Sequence, residues 1–419
     1  MAEIFPFRAF RYSSQAGPLQ DLATQPYDKI TPVMQARYLE TSPHNLVRII
    51  LGERFPGDTD SENVYTRAAR YLNDWIAEGV LVQEPEPCLF AYFQEFGVPD
   101  SSERVLRKGF IALGKLEDYS AGVVHRHEQT LSGPKKDRMD LLRHTQAQME
   151  QLFMLYPDPQ GEIDAALDEA ARVEPTASVV DEMGERHTIW KIAEPGRIEK
   201  IRALMADKKL IIADGHHRYE TALTFARQNP TLPGAGRTQM TFFNLHSEGL
   251  KVLATHRVLS GLPHFEPEEF FEKVAATCRV RPVEDMEQLK AGLAGTSSGT
   301  IPIGVATADR LALIEVPNPG GELDLVLLHR DILDGLLGVT PEDCREERYI
   351  HYVRGIENAV EHVRGGGAQV GLLVRPTTVE QVARISLAGG TMPQKSTDFY
   401  PKLLSGLTFY LFGQPPAAT

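Results

Sequence analysis

Apolar positions repeat along the chain at two spacings, and stretches with the two spacings alternate. The helical spacing is clearest where Val64, Ala68, Leu72 and Trp75 share one face, with Gly79 placed to end the helix. Further helices are predicted in EIDAALDEAARV, in GRIEKIRALMAD and over residues 378–389. Strands are predicted in CLFAYFQEF, RKGFIALGKL, HTIWKIAE and KKLIIAD. Strands that alternate with helices predict an α/β, or more broadly α+β, fold.

Three further predictions concern connections and larger divisions. The loop HRHEQTLSGP is expected to lead into a helix over roughly residues 137–153, and residues 238–246 and 250–258 to form a hairpin. The run Gly365-Gly366-Gly367 is predicted to be a loop, because glycines alone are weak evidence for phosphate binding. The alternation suggests an N-terminal region (1–105), a core (106–235) and a C-terminal region (236–419).

Composition excludes several classes of protein. No apolar run approaches the roughly 18 residues of a membrane span, and Arg8 and Arg11 interrupt the apolar patch near the start, so no signal peptide is expected. The three cysteines, Cys88, Cys278 and Cys344, lie far apart and predict neither a disulfide framework nor a cysteine metal site. A reducing, cytoplasmic environment is the expectation.

The net charge limits the classes of partner that the protein is expected to bind. The chain carries 44 Lys and Arg against 57 Asp and Glu, a formal net charge of −13. That balance disfavours binding to nucleic acid or to an anionic membrane, so neither is expected as a partner. A local basic pocket for a small anion is still compatible with it.

The string ADGHHRYETA places the densest chemistry of the chain between an apolar strand and a helix. Unpaired N–H groups at the start of such a helix favour an anion, and Gly215 leaves room for its approach. Arg218 offers a planar fork suited to phosphate oxygens, and His216 and His217 are additional donors. Asp214 is suited to holding a divalent cation or orienting a histidine. The alternative interpretation makes Asp214 only a helix cap.

A second candidate is the segment HRHE, in which His127 precedes Glu128. A carboxylate at this place can accept a proton from a hydroxyl group. Zinc binding by His125, His127, His216 and His217 is a weaker alternative, because no established zinc spacing connects them.

These motifs carry two resemblances. Gly215 to Tyr219 resembles the nucleotide-binding box of the ParB/sulfiredoxin superfamily, and Asp-Gly-His-His-Arg is the form found in archaeal free-serine kinases. His127-Glu128 resembles the Pro-His-Glu element of those kinases, with Arg126 at the place of the proline, and MPQKST resembles their late Pro-Lys-Thr-Thr segment. The whole-chain pattern (PYD, HEQT, DGHHRYETA and MPQKSTDFYPKL) is similar to a bacterial family known only as a domain of unknown function.

The resemblance implies a ParB/sulfiredoxin-like nucleotide-binding core and a kinase that phosphorylates free L-serine with ATP or ADP and Mg²⁺. A reductase of the sulfiredoxin kind would need a cysteine in the box, which is missing, and no DNA-reading module of the ParB kind is evident. A non-catalytic nucleotide sensor is the remaining alternative.

Roles follow for the individual residues. The predicted catalytic residues are Glu128 as the base, Asp214 as the metal ligand, and His217. Nucleotide and phosphate binding is assigned to Gly215, His216, His217, Arg218, Thr130 and Ser132, and substrate binding to His127, Lys395, Ser396 and Thr397. Thr130, Ser132, Lys135 and Lys136 line the same cleft or belong to a solvated loop.

Overall fold

The chain forms two compact units in the computed structural model, which describes residues 2–128, 132–295 and 299–413, with the backbone alone for residues 132–134. The first unit comprises Met1–Arg126, Thr130–Lys251 and Pro401–Thr419, and the second comprises His127–Gln129 and Val252–Tyr400. The short HE segment is therefore grouped with distant residues of the second unit. The three-region division stays a prediction.

Helices and strands occur throughout both units. The α-helices, numbered in chain order, are α1 (Pro32–Thr41), α2 (Val47–Ile50), α3 (Val64–Ala77), α4 (Ser132–Thr145), α5 (Glu162–Ala170), α6 (Pro195–Met205), α7 (His216–Gln228), α8 (Pro267–Ala275), α9 (Met286–Ala294), α10 (Asp324–Leu327), α11 (Pro341–Arg345), α12 (Ile356–Arg364) and α13 (Val379–Leu387). The β-strands, numbered likewise, are β1 (Ile4–Phe5), β2 (Phe10–Tyr12), β3 (Leu81–Gln83), β4 (Leu89–Gly97), β5 (Arg104–Lys115), β6 (Val124–His125), β7 (Ala147–Gln148), β8 (Leu152–Tyr156), β9 (Ala177–Val180), β10 (Arg186–Ile192), β11 (Leu210–Asp214), β12 (Arg237–Asn244), β13 (Lys251–Leu253), β14 (Thr255–Leu259), β15 (Arg279–Val283), β16 (Thr300–Ala306), β17 (Leu311–Pro317), β18 (Ile350–Arg354), β19 (Val370–Leu373), β20 (Asp398–Tyr400) and β21 (Tyr410–Leu411). The mixed α+β class predicted from the sequence is confirmed.

A mixed sheet forms the centre of the first unit. Its order is β6-β11-β8-β12-β5-β4-β10-β9, with β1 beside β5. The pairs β11–β6 and β12–β8 are parallel and the others antiparallel. Helices α5, α6 and α7 contribute Ile163, Ile201 and Ala222 to the core built on this sheet. Burial of those apolar stripes fixes the helix that follows β11, and with it the candidate turn.

An antiparallel sheet forms the centre of the second unit, in the order β15-β17-β16-β19-β14-β18. Leu289 of α9 and Val360 of α12 pack with Val258 of β14 in its core. Because side chains alternate across a strand, Arg257 lies on the face opposite to Val258. Its cross-strand neighbour in β18 is Tyr352.

Most elements predicted from the pattern are confirmed, and two predictions are wrong. The helix expected over 137–153 is α4, which ends at Thr145, and residues 152–156 form the buried strand β8. A short continuous apolar run does not distinguish a buried strand from a helix, which explains the error. Residues 238–246 and 250–258 do not form a hairpin, because β12 pairs with β5 and β8 whereas β14 pairs with β18 and β19. Among the described residues, no helix is both long and apolar enough to cross a membrane.

Candidate functional site

The turn between β11 and α7 has the strand-turn-helix geometry that the sequence predicts. Asp214 ends the strand, Gly215 has φ of 97°, and the helix begins at His216. A Cβ atom on Gly215 would lie 2.8 Å from Cδ2 of Leu152 and 3.1 Å from Nη2 of Arg218. Both the left-handed backbone and this close approach require glycine.

Asp214 lies between two cationic side chains. Lys402 Nζ donates to Oδ1 over 2.8 Å, and Arg218 Nη2 donates to Oδ2 over 2.9 Å. Arg218 also donates to the carbonyl of Gln151 over 2.6 Å. Burial alone would raise the pKa of Asp214, but Lys402 and Arg218 outweigh it and hold that pKa well below the ordinary value. We call Asp214, Arg218 and Lys402 the Asp214 cluster.

The PYD segment near the start of the chain belongs to the surroundings of this cluster. The backbone N–H of Tyr27 donates to the Glu150 carboxylate over 3.0 Å, and that carboxylate lies 3.7 Å from the guanidinium of Arg138. Glu150 is the largest of the acidic influences that raise the pKa of Arg218 against the opposing effect of burial. The charged side chains of Glu150, Arg138 and Arg218 thus lie near protein groups of opposite charge.

The two histidines of the turn have different surroundings. His216 is buried, and burial lowers its pKa to about 3, so the imidazole is neutral at neutral pH. His217 is partly exposed in the first turn of α7. A neutral imidazole donates through one ring nitrogen only, which limits what His216 can offer to a phosphate.

Magnesium bound directly to Asp214 does not fit the side chains as arranged. Each carboxylate oxygen accepts a hydrogen bond from a cation. A metal ion there would have to displace one of them or lie against two positive charges. The metal role of Asp214 stays a prediction.

The second unit joins the HE segment to the late motif. The ring Nε2 of His127 is hydrogen-bonded to Oγ1 of Thr397 over 2.7 Å, and the carbonyl of His127 accepts from the backbone N–H of Met392 over 2.8 Å. Ser396 is buried and donates through Oγ to the carbonyl of Pro393 over 2.5 Å. Residues 127 and 397, which are far apart in sequence, are therefore direct neighbours.

Lys395 is held by its backbone beside a buried arginine. It has φ of 56°, and its carbonyl accepts from Arg257 Nη2 over 3.2 Å. Glu128 is partly exposed and is one of the groups that raise the pKa of Arg257. Glu128, Lys395 and Arg257 thus belong to one neighbourhood of the second unit.

The remaining residues singled out from the sequence lie in several different surroundings or outside the described residues. Thr130 lies outside the described residues, and for Ser132, the first residue of α4, only the backbone is described. Lys135 forms an ion pair of 2.5 Å with Glu220 of α7. His125 Nε2 lies 3.2 Å from the carbonyl of Gly122. The roles assigned from the sequence stay predictions.

Among the described residues, the side chains close enough to share a metal ion are Asp181, Glu185 and His187, not the histidines of the two motifs. Hydrogen bonds already engage this group, since Asp181 accepts from Gln25 and His187 lies 2.7 Å from the Tyr92 hydroxyl. The arrangement is typical of a structural His–Asp pair.

Two important residues were not singled out from the sequence. Lys402 belongs to the string MPQKSTDFYPKL, whose likeness to a family was noticed without a role for this lysine. Arg257 follows a histidine in a strand, and only its burial distinguishes it from other strand arginines. Lys402 lies in a family string that assigns it no role, and Arg257 lies in none of the motifs, so the sequence alone gives no signal for their chemistry.

Several solved structures are similar to the chain at low identity. A conserved hypothetical protein from Pyrococcus furiosus is 13% identical with a TM-score of 0.36, and the match covers 71% of this chain and 95% of that one. Free serine kinase in complex with AMP is 14% identical with a TM-score of 0.38, covering 71% and 91%. SbnI with a C-terminal truncation, from Staphylococcus aureus, is 10% identical with a TM-score of 0.37, covering 70% and 85%.

Family membership rests on the sequence. No curated protein matches the chain. The family model described as "Protein of unknown function (DUF1015)" matches residues 4–329, well over half of the chain. This match confirms the resemblance to a family of unknown function over residues 4–329, a range that does not include MPQKSTDFYPKL. Membership of the ParB/sulfiredoxin superfamily stays a prediction. The chain belongs to the DUF1015 family.

Proposed function

We propose that this protein is a small-molecule kinase that transfers a phosphoryl group from ATP or ADP to the hydroxyl of free L-serine, giving O-phosphoserine. Serine is chosen because three sequence motifs resemble those of free-serine kinases: DGHHR, the HE pair at 127–128, and KST at 395–397. Under this proposal the protein has a ParB/sulfiredoxin-like nucleotide-binding core.

The hydrogen bond between His127 and Thr397 is the observation that carries the proposal. It joins two of the three motifs, separated by 270 positions, through side chains 2.7 Å apart. His127 is fully buried, so its ring has one defined environment, and the adjacent Glu128 is partly exposed. A fixed histidine beside an accessible carboxylate is suited to orienting a general base.

Phosphoryl transfer gives each group a task. The serine hydroxyl oxygen forms a bond to the terminal phosphorus of the nucleotide, while the bond from that phosphorus to its bridging oxygen breaks. The bonding electrons leave with the shortened nucleotide, and Glu128 takes the hydroxyl proton. Thr397 and His127 position the base, and Lys395 and Ser396 bind the acceptor.

The turn of the first unit is assigned to the nucleotide. Backbone N–H groups that follow Gly215 are oriented toward an anion at the start of α7. His216 and His217 add donors, and Arg218, already held by Asp214 and Gln151, contributes charge in a fixed position. A magnesium ion bound with the nucleotide would neutralise charge that develops during the transfer.

The test is phosphate transfer by the purified chain. Protein, magnesium and either ATP or ADP are incubated with hydroxylated amino acids and polyols, and products are identified by mass spectrometry. We expect O-phosphoserine. In Glu128→Gln, turnover should fall about 10²- to 10⁴-fold with nucleotide affinity unchanged, because the amide cannot take a proton at neutral pH.

Arg279→Gln is the matched control, since Arg279 lies on strand β15 of the second unit with its side chain 77% exposed. It should keep the activity of the wild type. Nucleotide binding without phosphorylation of any compound would contradict the kinase and establish the alternative, a nucleotide sensor. Unchanged turnover in Glu128→Gln would remove the base assignment.

A further inference from the structure

Arg257 is a buried cation without an acidic partner. Its side chain is 0% exposed, and none of the described residues forms an ion pair with it. Nη1 donates to the carbonyl of Thr255, and Nη2 is shared between the carbonyls of Gln394 and Lys395 at 3.3 and 3.2 Å. Nε has no hydrogen-bond partner among the described residues. Burial lowers the pKa of Arg257 to about 10, which leaves it charged at neutral pH.

Two other buried polar atoms near Arg257 also have no hydrogen-bond partner among the described residues. Tyr352, the cross-strand neighbour of Arg257, has its ring centroid 5.4 Å from the guanidinium carbon. Its hydroxyl and Nε2 of His329 are both buried, and neither has a hydrogen-bond partner in the described part of the chain. Burial and the charge of Arg257 lower the pKa of His329 to about 3, so this imidazole is neutral. We call Arg257, Tyr352 and His329 the Arg257 cluster.

Unsatisfied polar atoms are costly when they are buried, and a buried charge is normally paired. One such atom in a protein interior is compatible with a local defect. Here two such atoms belong to side chains in contact, one of them a cation, and the third belongs to His329, whose pKa the charge of Arg257 lowers. This arrangement is suited to an anion that accepts several hydrogen bonds. We infer that the Arg257 cluster is the binding site for the carboxylate of the acceptor molecule.

The charge of the cluster selects a carboxylate over a phosphate. It offers one guanidinium with two neutral donors, which matches a monovalent anion. A nucleotide carries several negative charges and requires more cations than this site supplies. A carboxylate oxygen can also accept in the plane of the guanidinium, which suits the Nε–H of Arg257 that has no partner among the described residues.

This inference rests on the proposed function and specifies its acceptor. Glu128 raises the pKa of both Arg257 and Tyr352, but Cys344 has a larger influence on each of them. The carboxylate of Glu128 is therefore near the cluster without being its counter-ion. An acceptor that carries a carboxylate beside its hydroxyl can use Arg257 for the first group and Glu128 for the second.

Calorimetric titration with two matched probes tests the inference. Glycolate has a hydroxyl and a carboxylate, whereas ethanolamine has a hydroxyl and no carboxylate. We expect the full chain to bind glycolate and L-serine and not ethanolamine. Arg257→Met should weaken glycolate binding about 30-fold or more, and Tyr352→Phe about 10-fold, because each removes a donor to a charged group. Arg257→Lys should be intermediate, since it keeps the charge and loses the fork.

Controls separate this result from the kinase assay. Arg279→Gln should bind glycolate as the wild type does, and ADP affinity should be equal in all variants. Arg257-dependent binding of glycolate or L-serine without any phosphate transfer supports the carboxylate site and contradicts the kinase. Phosphorylation of ethanolamine as fast as serine supports the kinase and overturns the site.

Three other results would also overturn the site. One is the absence of glycolate and L-serine binding at millimolar concentration, and another is equal glycolate affinity in Arg257→Met and the wild type. The third is a loss of ADP or inorganic phosphate binding in Arg257→Met as large as the loss of glycolate binding, because the anion would then be a phosphate.

Discussion

The Asp214 cluster and the Arg257 cluster both place charges out of water, but they neutralise them differently. In the first unit, each oxygen of Asp214 accepts from a cation, and Arg218 has a further partner in the Gln151 carbonyl. In the second unit, the hydrogen-bond acceptors of Arg257 among the described residues are carbonyl oxygens, and its Nε has no partner among them. The charge of Asp214 is therefore neutralised by protein groups of opposite charge, whereas the charge of Arg257 is not neutralised by an acidic group among the described residues.

The difference separates two uses of buried charge. An ion pair completed within the protein holds side chains in place, and it offers a ligand few unused hydrogen-bonding atoms. A buried cation whose hydrogen-bond partners are carbonyl dipoles retains affinity for an anion. It also lowers the stability of the fold until an anion binds. We therefore interpret Asp214 and Lys402 as positioning residues for the turn, and Arg257 as a residue that contacts ligand.

The largest expected contrast is in stability. Lys402→Met leaves the partly buried Asp214 carboxylate with one cation and should lower the free energy of unfolding by about 3 kcal/mol. This is the low end for a broken buried pair, because the Asp214 side chain is 20% exposed and Arg218 remains. Arg257→Met removes a charge that has no acidic partner and should change stability by less than about 1 kcal/mol. Urea unfolding of both variants measures this. Equal destabilisation would contradict the comparison.

The pH dependence of stability sharpens the description of the first cluster. His216 has a pKa of about 3 in the folded chain and an ordinary value of 6.5 when unfolded. The unfolded chain therefore binds a proton first, and stability falls as the pH drops below about 6.5. At pH 5 this single group should account for a loss of about 2 kcal/mol. His216→Asn should lack that loss, as measured by unfolding at pH 7 and pH 5.

The behaviour of His329 gives a comparison for the same measurement. Its pKa is also about 3, so it adds a similar loss of stability on acidification. Glycolate bound at Arg257 would favour the protonated imidazole and reduce this part of the loss, whereas the part from His216 should persist. An identical pH dependence in His329→Asn and the wild type would contradict the assigned burial of that ring.

The smallest effect compares two tyrosine hydroxyls. The Tyr219 hydroxyl donates to the carbonyl of Glu117 over 2.6 Å and accepts from its N–H over 3.0 Å, so Tyr219→Phe should cost about 1–2 kcal/mol. The Tyr352 hydroxyl has no partner in the described residues, so Tyr352→Phe should leave stability within about 0.5 kcal/mol. Thermal unfolding of the two variants provides the measurement. A larger loss for Tyr352→Phe would show that its hydroxyl is already satisfied.

The sequence predicted elements well where local pattern decides them. The apolar stripe of α3 and the strand before Asp214 follow from the local pattern of apolar residues. The prediction from the sequence was wrong for β8, which was assigned to the end of a helix, and for β12 and β14, which were expected to pair with each other. In each case the correct answer depends on which distant strand lies alongside, and side-chain spacing does not encode that.

For the candidate site, the sequence alone determined which groups are chemically capable: the polar turn from 214 to 218, the carboxylate of Glu128 and the late KST segment. Only the tertiary structure decided which of them have partners. It placed Lys402 on Asp214, joined His127 to Thr397, and buried Arg257 without an acid. The physical reason is that charge and hydrogen-bonding capacity belong to a residue type, whereas desolvation and pairing arise from long-range packing, which brings together residues hundreds of positions apart.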